Sequence, residues 1–76
     1  MRIYIDGIFD LFHYGHIKSF EKCKTMDTNV FLIVGVIDDK TASDYKRQPI
    51  YNQKHRYVLV ENSKYVDKII KSAPLI

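Results

Sequence analysis

With 76 residues, twelve Lys or Arg against nine Asp or Glu, and a net charge of +3, the chain is at most one domain. Its basic residues are scattered, with Lys46-Arg47 the one adjacent pair, which speaks against a nucleic-acid groove. One cysteine, Cys23, excludes an internal disulfide framework, and one Cys with three His fits no structural zinc spacing.

No apolar run reaches the ~20 residues of a membrane span, and the N-terminus has no secretory apolar segment. The expectation is a cytoplasmic protein without a membrane helix. A chain this short buries only about 60% of its unfolded surface, so its stability is marginal.

Arg2–Ile5 alternates and reads as a first strand, followed by a loop over 6–12. Tyr14–Thr25 reads as a helix, with Ile17, Phe20, Cys23 and Lys24 on its inner face. Asp27-Thr28-Asn29 is a turn cluster. Val30–Val36 (VFLIVGV) is almost wholly apolar, as in a strand of a parallel sheet buried on both faces by helices. Gly35 within it predicts close approach of another backbone.

Asp38 is a candidate N-cap for a short helix through Ser43. Residues 45–51 lack periodicity and read as a loop. Asn52 is the next candidate N-cap, for a helix to about Ser63 with Tyr57, Val58 and Val60-Glu61 turned inward. Tyr65–Ile70 reads as a third strand, and residues 71–76 as a loop ended by Ala73-Pro74.

This order is β-α-β-α-β without linker or repeat. Right-handed crossovers then give three parallel strands in the order 3-2-1, half of a doubly wound, Rossmann-like sheet. The first strand is left with a bare edge unless another chain covers it.

The segment at 6–16, DGIFDLFHYGH, concentrates the candidate chemistry. It joins a strand to a helix start, where unpaired N–H groups and the helix dipole attract anions. His13 and His16, three apart, share one face of that start and can hold a phosphate.

This segment resembles the first motif of the cytidylyltransferases in the H-x-G-H nucleotidyltransferase superfamily, above all the choline-phosphate cytidylyltransferases. Leu32–Val36, Lys46, His55-Arg56-Tyr57, Tyr65-Val66-Asp67 and Ala73-Pro74 extend the resemblance, in order, over nearly the whole chain.

The resemblance implies transfer of CMP from CTP to phosphocholine, giving CDP-choline and pyrophosphate in phospholipid synthesis, with Mg²⁺ carried by the nucleotide. It implies that His13, His16 and Lys46 are catalytic. It implies that Gly7, Ile8, Phe9, His13, His16 and Arg56 bind CTP. Asp6 and Lys46 would meet the second substrate, Asp6 facing its cationic amine. Arg56 either touches the nucleotide phosphates or holds the loop bearing Lys46. Asp10 bonds the loop backbone. The segment Tyr65-Val66-Asp67 implies a homodimer contact.

The sequence departs from the family at Lys64, where an Arg is usual, and at Leu75, where an aromatic ring stacks on the amine. The family's R-T-E-G-I-S-T-S motif is absent, so the chain is expected to be the N-terminal half of a catalytic domain, residues 1–76. The alternatives are formation of CDP-ethanolamine or CDP-glycerol, or an inactive truncated paralogue acting as a dimerisation module. Cys23 reads as a small core residue and His55 as a solvated one.

Overall fold

The structure, a computed structural model, describes residues 1–74. Its elements are β1 (Arg2–Gly7), α1 (Tyr14–Lys24), β2 (Phe31–Val36), α2 (Asp39–Tyr45), α3 (Gln53–Glu61) and β3 (Lys68–Lys71). The three strands form one parallel sheet in the order β1-β2-β3. This is the expected Rossmann-like half sheet.

Local chemistry fixes the helix ends. Asp38 accepts the Thr41 N–H at 2.8 Å and starts α2, which runs two residues past Ser43 to Tyr45. Asn52 accepts the His55 N–H at 2.9 Å and starts α3, which stops at Glu61.

The core lies on one face of the sheet. Leu32, Val34 and Val36 alternate inward from β2 and meet Phe20 and Cys23 of α1 and Tyr57 and Val60 of α3. Ile3, Ile5 and Ile69 extend that layer. Complete burial of a side chain such as Phe20 contributes about 1.5–3 kcal/mol.

The other face carries Tyr4, Phe31, Ile33 and Ile70, and no helix of the core cluster packs there. Tyr4 is 45% exposed and Phe31 43%. The expectation that β2 is buried on both faces is therefore corrected. Both crossover helices lie on the same side of the sheet, and only that side is dry.

Four further expectations change. β1 continues to Gly7, so Asp6 is a strand residue paired with Gly35, not a loop residue. What crowds Gly35 is not backbone but the Tyr4 hydroxyl and the Ala73 methyl, which would meet any Cβ there. On α3 the inward residues are Arg56, Tyr57 and Val60, while Val58 and Glu61 are exposed. On α1, Ile17 is exposed, and Phe20 and Cys23 form the buried face.

The third strand starts at Lys68 rather than Tyr65. Tyr65 and Val66 pack on the core, and Asp67 closes on Leu32 from both sides. Its N–H donates to the Leu32 carbonyl at 3.0 Å, and its carboxylate accepts the Leu32 N–H at 2.7 Å. Lys24 adds an ion pair to the same oxygen at 2.7 Å.

Arg56 is wholly buried. Its Nη1 donates to the carbonyls of Ile8 at 2.7 Å and Ile37 at 2.6 Å. Its Nε donates to the Tyr51 carbonyl at 3.0 Å, and its Nη2 to Asp39 Oδ1 at 2.7 Å. One guanidinium thus ties the loop after β1, the loop after β2, the start of α2 and the entry to α3.

Removing it would leave three carbonyls without their donor. Arg56→Met, close in volume, is expected to lower unfolding free energy by about 3 kcal/mol, because Asp39 retains access to water while the carbonyls lose a charged donor. Urea unfolding measures this, and a midpoint unchanged from the parent chain would refute the clamp.

Candidate active site

The loop from Ile8 to Phe12 leaves the carboxyl end of β1 and feeds α1. Phe9 and Leu11 take left-handed backbone angles, φ 57° and 48°, which non-glycine residues adopt at a cost. Asp10, between them, holds the shape. Its carboxylate accepts the N–H groups of Tyr51 and Ile50 at 2.8 Å each and of Leu11 at 3.1 Å. Burial pushes the Asp10 pKa up, but these three donors and Arg47 outweigh it and hold the carboxyl below its ordinary value.

His13 and His16 build the helix start between them. His13 is the N-cap, and its Nδ1 accepts the Gly15 N–H at 2.9 Å. His16 Nδ1 accepts the His13 N–H at 3.1 Å. This reciprocal cap uses imidazoles where Ser and Glu usually serve.

It also sets the protons. A ring nitrogen that accepts a backbone N–H carries no hydrogen, so each neutral ring bears its proton on Nε2. The Nε2 atoms are thereby left free of the cap, on rings whose centroids are 4.1 Å apart.

Aromatic packing fixes the rings further. Phe12 stacks on His16 at 5.2 Å, and Phe9 meets it edge-on at 5.4 Å. Burial, then the neighbouring His13 ring, pushes the His16 pKa down and favours the neutral form. Gly7 is needed because a Cβ there would meet the Phe9 ring at 3.0 Å. Gly15 is needed because a Cβ would stand 2.8 Å from His13 Cε1.

Lys46 follows α2 and is exposed, its Nζ 5.7 Å from the Tyr45 ring centroid. With Ile8, Asp10, Arg47 and Pro49 it lines a cleft of about 160 Å³. A hollow of about 220 Å³ at the amino end of β3, lined by Glu61, Val66, Asp67, Lys68 and Ile69, gathers none of the anion-binding groups.

Of the expected site residues, Gly7, Phe9, His13 and His16 are brought together around the start of α1. Ile8 joins Lys46 in the cleft. Asp6 projects from the opposite, uncovered face, at the carboxyl end of the sheet. Arg56 is corrected: with no exposed surface and carbonyls on three of its N–H groups, it holds the loops and cannot meet a nucleotide.

Sequence reasoning missed Phe12 as the plate behind His16, because Phe12 lies in the loop before the N-cap, where no helical spacing signals the contact. The position of Leu75 lies outside the described residues. Among the described residues no three His, Cys, Asp or Glu gather as a metal site, and no helix is long and apolar enough to cross a membrane.

A strand, an anion-receptive loop and a capped helix on a parallel sheet define an α/β nucleotide-binding architecture. The profile of the family described as Cytidylyltransferase-like matches residues 4–75, and the chain belongs to that family.

Over 74 residues it is 40% identical to choline-phosphate cytidylyltransferase A of Homo sapiens, covering 97% of this chain and 20% of that protein. It is 43% identical over 74 residues to the choline-phosphate cytidylyltransferase of Saccharomyces cerevisiae, covering 97% and 18%. Ethanolamine-phosphate cytidylyltransferase of Mus musculus is 34% identical over 76 residues, covering 100% and 18%. The chain thus spans about a fifth of the length of these relatives.

Among solved structures, the lipopolysaccharide core biosynthesis protein of Thermoplasma volcanium GSS1 superposes with a TM-score of 0.85 at 32% identity. That match covers 96% of this chain and 58% of that one.

Two outcomes follow from the cap. Gly15→Ala is expected to displace the His13 ring, so that the loss of its N-cap, about 1 kcal/mol, cancels the gain of about 0.5–1 kcal/mol that Ala brings over Gly in a helix; thermal unfolding reads this, and a midpoint raised by the full helix gain would contradict the crowding. The folded pKa of His16 lies below the ordinary 6.5, so between the two values the unfolded chain binds more protons. The stability this supplies is complete above about pH 6.5 and is lost as pH falls through the folded value. NMR of the ring is expected to show His16 titrating below 6.5 with Nδ1 unprotonated at neutral pH.

Proposed function

We propose that the chain carries the nucleotide-binding part of a cytidylyltransferase that transfers CMP from CTP to phosphocholine. A phosphate oxygen of phosphocholine attacks the α-phosphorus of CTP in line. The new P–O bond forms as the bond to the bridging oxygen breaks, and pyrophosphate leaves with that electron pair. The observation that carries this reading is the reciprocal cap at the start of α1, in which the Nδ1 of each ring accepts a backbone N–H and leaves Nε2 to donate.

Catalysis of this kind needs positioning and charge stabilisation rather than a covalent intermediate. His13 and His16 hydrogen-bond the triphosphate of CTP at the positive end of the helix. The Ile8 and Phe9 backbone, let in by Gly7, lines its approach. Lys46 neutralises phosphate oxygens from the cleft, and Mg²⁺ arrives with the nucleotide.

Asp6 supplies the carboxylate for the quaternary amine, on the uncovered face where the rest of the head-group pocket would assemble. The names of the relatives support this substrate class. The product would serve phospholipid synthesis, and the Tyr65-Val66-Asp67 region would contribute to a homodimer. Phosphoethanolamine is the second substrate, favoured by the ethanolamine-phosphate relatives.

The test is pyrophosphate release from CTP, Mg²⁺ and each of phosphocholine, phosphoethanolamine and glycerol 3-phosphate. Release fastest with phosphocholine is expected, and His16→Ala is expected to reduce it by about 10²–10³-fold, the scale of losing one preorganised donor. Preference for glycerol 3-phosphate would refute the role of Asp6. No release, with no CTP-dependent rise in melting temperature, would leave an inactive dimerisation module.

A further inference from the structure

Lys46 has a cationic neighbour to which neither the cap nor the clamp gives a task. Arg47 lines the cleft beside Ile8, Asp10, Lys46 and Pro49. Its side chain is 65% exposed. Its Nη1 donates one long bond, 3.3 Å, to the Gln48 carbonyl. The same nitrogen stands 3.7 Å from Asp10 Oδ2, too far for a hydrogen bond.

Asp10 has little need of Arg47, because three backbone N–H groups already occupy its oxygens. The carboxylate keeps the guanidinium at the lip of the cleft without saturating it. Arg56 shows the contrast, since its donors are almost all taken by fixed carbonyls. Arg47 keeps most of its donors free beside the ammonium of Lys46.

A planar fork next to a point charge suits the oxygens of a phosphate group, which the fork can engage two at a time. Ile8 and Pro49 complete the lining of the cleft beside these two cations. We infer that Arg47 is a phosphate-binding residue of this cleft, acting with Lys46 on a substrate phosphate group. The inference rests on the cytidylyltransferase reading only for the phosphate's origin, since the binding itself requires no turnover.

The experiment is a titration of the ¹⁵N-labelled chain with inorganic phosphate, following the amides of Lys46 and Arg47 and the Arg47 Nε–H. The parent chain is expected to show saturable shifts at these positions. Arg47→Gln is expected to weaken binding about tenfold, the scale of one charge-assisted hydrogen bond. Arg47→Lys is expected to fall between, keeping charge without the fork. Lys40→Gln serves as control, its exposed side chain being paired only with Asp44 on α2 at 3.5 Å.

In turnover, Arg47→Gln is expected to raise KM about tenfold with kcat nearly unchanged, and varying CTP and phosphocholine in turn identifies whose phosphate is bound. Phosphate binding by Arg47→Gln as tight as by the parent would overturn the inference, as would the absence of shifts at 46 and 47. Phosphate binding at Arg47 without any pyrophosphate release would uphold it while removing the proposed reaction.

Discussion

A guanidinium sealed from water organises the carboxyl end of this sheet. Arg56 joins the carbonyls of Ile8, Ile37 and Tyr51 to the Asp39 carboxylate, and these partners belong to four different segments. Each carbonyl sits where a regular element has just ended or is about to begin, so no ladder bond is available to it. Burying a charge is costly unless it is fully hydrogen-bonded, and the same partners that satisfy Arg56 are thereby satisfied in return. The loops that present Phe9, Lys46 and the histidines take their relative positions from this one side chain.

Upon that frame the imidazole pair does two tasks with its two kinds of nitrogen. The Nδ1 atoms complete the helix start, and the Nε2 atoms are left without a part in the cap. Protonating either ring would set an N–H against a backbone N–H and oppose the cap. In the proposed reaction the phosphate would therefore be met by Nε2–H groups, the helix dipole and the cleft cations. Phe9 and Phe12 pack against the His16 ring and keep it from rotating away.

What was legible in the sequence was local. The helix starts at His13, Asp38 and Asn52 depend on side chains reaching two or three residues along the chain, and they fall where the reading placed them. The parallel order followed from element order alone. The rest was settled by tertiary contacts. Arg56 reads either as a nucleotide contact or as a loop holder, because nothing local announces carbonyls from positions 8 and 37. The run at 30–36 reads as doubly buried, yet its helices share one side, leaving Phe31 half-exposed. The start of β3 was misplaced because Asp67 replaces a ladder bond with a side-chain bond to Leu32.

The backbone at Phe9 and Leu11 has one more consequence. Left-handed geometry at two side-chain-bearing residues, each disfavoured by roughly 1–2 kcal/mol, persists because Asp10 is fastened to the chain entering α3. The shape of this loop is therefore set during folding rather than left for a ligand to impose. The strain of keeping this loop rigid is set against the folding free energy of the elements that hold it.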